Sequence, residues 1–150
     1  DRSERSDRSD EFEKSDRSDQ MRKGPMTRRR PRAAASNSPI ANVAMVLEEL
    51  GVARHFVGIF AQGPDMVGKP DPTILFAAAD SMGVPRDRCV VLEDSASGFR
   101  CAENANMPYV VITCGADPDC LGQARKARAF HRDYTTLTVE ELELYVNGRG

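Results

Sequence analysis

From residue 33 onward, short apolar runs alternate with stretches whose apolar residues recur at helical spacing. That alternation predicts strand–helix units packed as a parallel sheet. The run 33–35 predicts a short strand ending in Ser36-Asn37-Ser38. Ser38 then offers an N-cap, with Pro39 at the first helical position. Ile40, Val43, Ala44, Leu47 and Leu50 fall on one helical face, and Gly51 supplies the stop. Residues 56–60 predict a second strand. Asp71 and Pro72 repeat the cap-plus-proline device, opening a helix through Leu75, Ala78 and Met82 to Gly83. Cys89-Val90-Val91-Leu92 is continuously apolar, as expected of a strand buried on both faces. A helix through Phe99 and Ala102 follows and ends near Asn106, a residue type that tolerates the left-handed backbone there. Residues 109–113 predict a fourth strand. Thr138-Val139-Glu140-Glu141 reads as a capping box opening a last helix to Val146.

Upstream the texture is different. The first twenty residues hold one aromatic and no aliphatic side chain, in repeated Asp-Arg-Ser units. Such a segment buries too little apolar surface to offset the entropy of ordering. Residues 1–32 are therefore expected to be a disordered charged leader and linker, and 33–150 a partial core domain. The cluster Arg28, Arg29, Arg30 and Arg32 reads as the solvated end of that linker. Met21 and Met26 are alternative starts. Arginines in the leader are matched by acids, which argues against RNA as a partner.

Composition narrows the classes further. The 150 residues are 40% hydrophobic and 29% charged, with a net charge of −2, so no global field favours nucleic acid or an anionic membrane. No apolar run approaches the roughly 20 residues that span a bilayer. The charged N-terminus does not resemble a secretory signal, so a cytoplasmic protein is expected. Oligomeric state is not legible. Cys89, Cys101, Cys114 and Cys120 form no CxxC and have no histidine at ligand spacing, so reduced thiols rather than a zinc site are expected.

Loops leaving the carboxyl ends of parallel strands converge on one crevice, and three such loops here carry chemistry. Ser36-Asn37-Ser38 brings hydroxyl and amide donors to a helix N-terminus, a good place for an anion. Gly68-Lys69-Pro70-Asp71-Pro72 brings a cation. Glu93-Asp94-Ser95-Ala96-Ser97-Gly98 sets two carboxylates directly after an apolar strand. Oxygen-only ligands of this kind point to Mg²⁺ rather than a softer metal.

The order of these strings, from a serine after a strand through GKPDP to VLEDSASG, resembles motifs two, three and four of the haloacid dehalogenase (HAD) superfamily. The wording is similar to its branch of β-phosphoglucomutase and sugar-phosphate phosphatases. The resemblance covers residues 33–113. It implies an incomplete Rossmann-like HAD core, an α/β fold with a parallel sheet flanked by helices. It also implies a Mg²⁺-dependent phosphatase or phosphomutase acting on a small phosphorylated metabolite, in which an aspartate is phosphorylated first and then released. Ser36 and Asn37 would hold the phosphoryl group, and Lys69 would pair with phosphate and nucleophile. Asp94 would ligand Mg²⁺, with Glu93 as second ligand or water-holder. Ser95 and Ser97 would cap or support.

The family's first motif, an apolar strand followed by DxDx(T/V), has no counterpart here, and neither has its helical cap domain. In the family that strand lies between the serine-motif strand and the Glu-Asp strand. Without it the strands at 33–36 and 89–92 must pair directly or leave edges unpaired. A chain lacking the nucleophile is expected to be inactive alone and marginally stable. The alternative is a non-catalytic module that binds phosphate or a partner.

Overall fold

The computed structural model describes residues 30–148. The leader at 1–32 thus falls outside the described residues except for its last three. Among the described residues five strands and five α-helices alternate: β1 (Ala34–Ser36), α1 (Ile40–Glu49), β2 (Ile59–Ala61), α2 (Thr73–Met82), β3 (Val91–Glu93), α3 (Ala96–Asn104), β4 (Tyr109–Ile112), α4 (Pro118–Leu121), β5 (Ala129–His131) and α5 (Val139–Val146). All pairings between these strands are parallel, so the α/β class is as expected, with helices packed on parallel sheets.

The sheet is split. β1 pairs with β2, and β3, β4 and β5 form a second sheet in that order. Among the described residues β1 and β3 are not hydrogen-bonded to each other, so of the two outcomes left open by the sequence, unpaired edges prevail. This also corrects the reading of residues 89–92 as a strand buried on both faces: Val91 and Leu92 are only half-buried, because β3 is an edge. β4, with neighbours on both sides, is buried at all four positions.

The core lies between the three-stranded sheet and the helices α2 and α3. Ile74, Leu75 and Ala79 of α2 meet Phe99, Cys101 and Ala102 of α3, and Met107, Tyr109 and Val111 close it. The Phe99 and Tyr109 rings stack at 5.9 Å. By contrast α1 buries no residue. Ile40 and Leu50, at the two ends of its apolar face, are 57% and 68% exposed. The face is amphipathic as expected, but little of the fold stands opposite it.

Two helix starts differ from expectation. Ser38 does not cap α1; its own N–H instead donates to Ser36 Oγ at 3.1 Å, a local turn that competes with capping. Asp71 performs the expected task one residue early, accepting from the Thr73 N–H at 2.8 Å. The capping box at Thr138 and Glu141 is present. Gly83 and Asn106 adopt the left-handed backbone that ends α2 and α3.

Candidate active site

The three polar loops all leave the carboxyl ends of their strands. In β1–β2, Ser36 pairs with Ala61, so the Ser36–Ser38 turn and the loop after β2 emerge together. In the other sheet Glu93 is the last residue of β3. Asn37 clasps the loop that carries Lys69: its amide nitrogen donates to the Lys69 carbonyl at 3.0 Å, and its amide oxygen accepts the Lys69 N–H at 2.7 Å. Both ends of the Asn37 side chain are thereby committed, so it positions Lys69. The close approach needs a glycine next door, since a Cβ on Gly68 would lie 2.6 Å from Asn37 Oδ1. The Lys69–Pro70 peptide is cis.

So placed, the Lys69 ammonium donates to Glu93 Oε1. Glu93 is a buried carboxylate, and Ser95 Oγ donates to its other oxygen at 3.2 Å. Ser95 also caps α3, accepting the Gly98 N–H at 3.1 Å. Gly98 lies directly under the carboxylate, where a Cβ would overlap it. The sequence thus supplies a charge pair at the head of α3, with each Glu93 oxygen satisfied.

Asp94, one residue on, is different. It is exposed, and among the described residues its carboxylate has no hydrogen-bond or ion-pair partner. Only its backbone carbonyl is engaged, by the Cys120 thiol at 3.7 Å. The adjacent pair of acids is therefore divided into a tied carboxylate and a free one. Ser36 stays near the Lys69 loop through its neighbour Asn37, with its hydroxyl oxygen accepting the Ser38 N–H.

Sequence reasoning missed Tyr134. It lies beyond the end of β5 in a turn held by Asp133, which accepts the Thr135 N–H at 2.9 Å. Although its ring is largely exposed, partial burial and then the Asp94 and Glu93 carboxylates push its phenol up. No local pattern marks it, because the proximity arises from two strands of lateral packing. Cys101, also unassigned beforehand, donates its thiol to the Asp71 carbonyl at 3.1 Å, and burial pushes it up to about 11, so it is an inert core thiol. All four cysteines are free thiols.

Magnesium demands near-octahedral oxygen ligation, keeps several waters and commonly takes only one or two protein carboxylates. A free, exposed Asp94 fits one position of such a set. Glu93 fits less well, with both oxygens already engaged. Among the described residues no group of three or more potential ligands gathers around a point. What the chain places at this strand end is a free carboxylate, Asp94, beside a fixed ammonium, Lys69. No helix among the described residues is long and apolar enough to cross a membrane.

A model of the haloacid dehalogenase-like hydrolases matches residues 27–106, and the chain belongs to that family. It is 32% identical over 114 residues to a haloacid dehalogenase-like hydrolase domain-containing protein of Arabidopsis thaliana, covering 74% of this chain and 35% of that one. It is 34% identical over 84 residues to the fructose-1-phosphate phosphatase YqaB of Escherichia coli, covering 56% of this chain and 45% of the relative. Among solved structures, CbbY of Rhodobacter sphaeroides in complex with xylulose-(1,5)bisphosphate superposes with a TM-score of 0.63 at 26% identity, over 75% of this chain and 51% of that one. A sugar-phosphate phosphatase is among these relatives, and the chain spans between 35% and 51% of the length of each.

Proposed function

We propose that this chain supplies the phosphate- and cation-holding half of a Mg²⁺-dependent phosphohydrolase, a phosphatase or phosphomutase acting on a small phosphorylated metabolite. The observation that carries the reading is the division of labour between Glu93 and Asp94. Glu93 is spent fixing the Lys69 ammonium, and Asp94 is left free at the same strand end. A bound Mg²⁺ would shield phosphate charge from an attacking carboxylate. Asp94 would hold it, Lys69 would neutralise a phosphoryl oxygen, Ser36 would donate to another, and Asn37 would keep Lys69 in place. In this reading the attacking carboxylate arrives at the end of a strand lying between β1 and β3, whose facing edges are unpaired among the described residues.

Steady-state hydrolysis by the chain completed with a nucleophile-bearing DxDx(T/V) strand tests the reading, with Mg²⁺ and a panel of fructose 1-phosphate, phosphoglycolate and xylulose 1,5-bisphosphate. If any ester is turned over, Asp94→Asn removes most of the rate and raised Mg²⁺ restores part of it. Lys69→Ala lowers the rate even at saturating metal; a rate equal to the parent's removes Lys69 from the site. The ammonium that Asn37 holds in place beside the Ser36 turn also supports a second reading, a non-catalytic module that holds phosphate through Lys69 and Ser36. Phosphate binding that depends on Lys69, with no hydrolysis of the panel, selects it.

A further inference from the structure

The amino-terminal end of the three-stranded sheet, opposite the Lys69–Glu93 site, holds an open cleft of about 610 Å³. That size lies within the ~300–1,000 Å³ typical of small-molecule sites. Its floor is built rather than incidental. Tyr109, the first residue of β4, is buried, and its hydroxyl donates to Glu103 Oε1 at 2.7 Å. The Lys126 N–H meets the same Glu103 oxygen at 3.3 Å and the Tyr109 hydroxyl at 3.2 Å. The Arg128 N–H donates to the Tyr109 carbonyl at 2.8 Å, which anchors the opposite wall to the strand.

Lys126 and Arg128, both exposed, line the cleft, and neither side chain has a carboxylate within ion-pair distance among the described residues. Asn106 adds an amide at the end of α3, and Asp87 stands on the rim as an acceptor. Glu103 is turned into the floor by two N–H and O–H donors, so the groups offered to a ligand are two cations, an amide and one rim carboxylate. We propose that this cleft is a second ligand site, for a small hydroxylated anion: its phosphate or carboxylate would meet Lys126 and Arg128, and a hydroxyl would face Asp87. Charge-assisted bonds to the two cations provide the attraction. The rim acid selects a ligand with donors over a bare anion. The inference does not depend on the phosphoryl-site reading, because no residue is shared.

Amide NMR spectra of the full chain, titrated with inorganic phosphate and glycerol 3-phosphate, test it site by site. The expected result is saturable shifts at Asn106, Lys126 and Arg128 at millimolar ligand, larger for glycerol 3-phosphate and undiminished in the double variant Lys69→Met/Glu93→Gln. Lys126→Ala/Arg128→Ala alters only exposed side chains and is expected to weaken these shifts by about tenfold or more, some 1.4 kcal/mol. Repeating the titration with glycerate separates carboxylate from phosphate as the preferred head group. Shifts confined to Ser36 and Lys69, or none at the cleft with any of the three probes, overturn the proposal.

Discussion

The Lys69 ammonium and the Glu93 carboxylate form an ion pair that joins the loop after β2 to the end of β3, bridging two sheets with no strand pairing between them among the described residues. Their side chains are 10% and 6% exposed, so each charge depends on the other for compensation. Removing one partner of a buried pair costs about 3–5 kcal/mol because the other is stranded. Lys69→Ala is therefore expected to lower unfolding free energy by about that much, or to abolish the cooperative transition, in urea. The double variant Lys69→Met/Glu93→Gln is expected to regain part of it. A loss below about 1 kcal/mol, the range of a surface pair, contradicts the bridge.

Gly98 supports the same carboxylate from below. Gly98→Ala places a methyl group into Glu93 and is expected to lower the melting temperature sharply while weakening phosphate binding. Gly122→Ala meets nothing within 4 Å and serves as the control. Equal melting temperatures for the two variants mean that Glu93 is not held against α3 as described.

Alkaline stability follows from Tyr109 and Cys101. Burial, then the Glu103 hydrogen bond, pushes the Tyr109 phenol up to about 12 from 10. Burial pushes Cys101 up to about 11 from 9. Both are neutral groups that ionise more readily once unfolded, so their contribution is intact below pH 9 and is lost as pH rises through 9–12. Unfolding free energy is expected to fall steadily across that window. Cys101→Ala is expected to flatten the fall between pH 9 and 11; an unchanged slope contradicts the burial of that thiol.

The split sheet predicts uneven protection. Amides of Val110, Val111 and Ile112 have strand neighbours on both sides and full burial, and are expected to exchange slowest. Ala34 and Ala35, in a half-buried edge strand beside the uncovered α1, are expected to exchange at least tenfold faster, about 1.4 kcal/mol less protected. Equal protection in β1 and β4, together with a sharp two-state melt, contradicts the marginal stability expected of this chain.

Much of the fold was legible because its signals are local. Continuous apolar runs marked β3 and β4, Gly83 and Asn106 marked helix ends, and Thr138 with Glu141 marked α5. β5 and the single-turn α4 escaped notice: Ala129–His131 is three residues long with an exposed Phe130, too short for a period to register. The burial of β3 was overestimated because an apolar run reports what a strand can tolerate, while its neighbours decide what it receives. At the site, residue types gave Lys69, Glu93 and Asp94. They did not give the pairing: that Glu93 serves Lys69, that Asn37 is a clasp, and that Tyr134 approaches both acids are consequences of loops meeting across separate strands.

On the proposed reading, Ser36, Lys69 and Asp94 act together on phosphate and a hard cation. Site-resolved amide NMR of the full chain, titrated with Mg²⁺ and inorganic phosphate together, tests it most directly. Joint saturable shifts at Ser36, Lys69 and Asp94 are expected, with the Mg²⁺ dependence lost in Asp94→Asn and the phosphate dependence lost in Lys69→Met/Glu93→Gln. Signals at all three residues that stay unmoved at millimolar Mg²⁺ and phosphate, in a chain that remains folded, would contradict it.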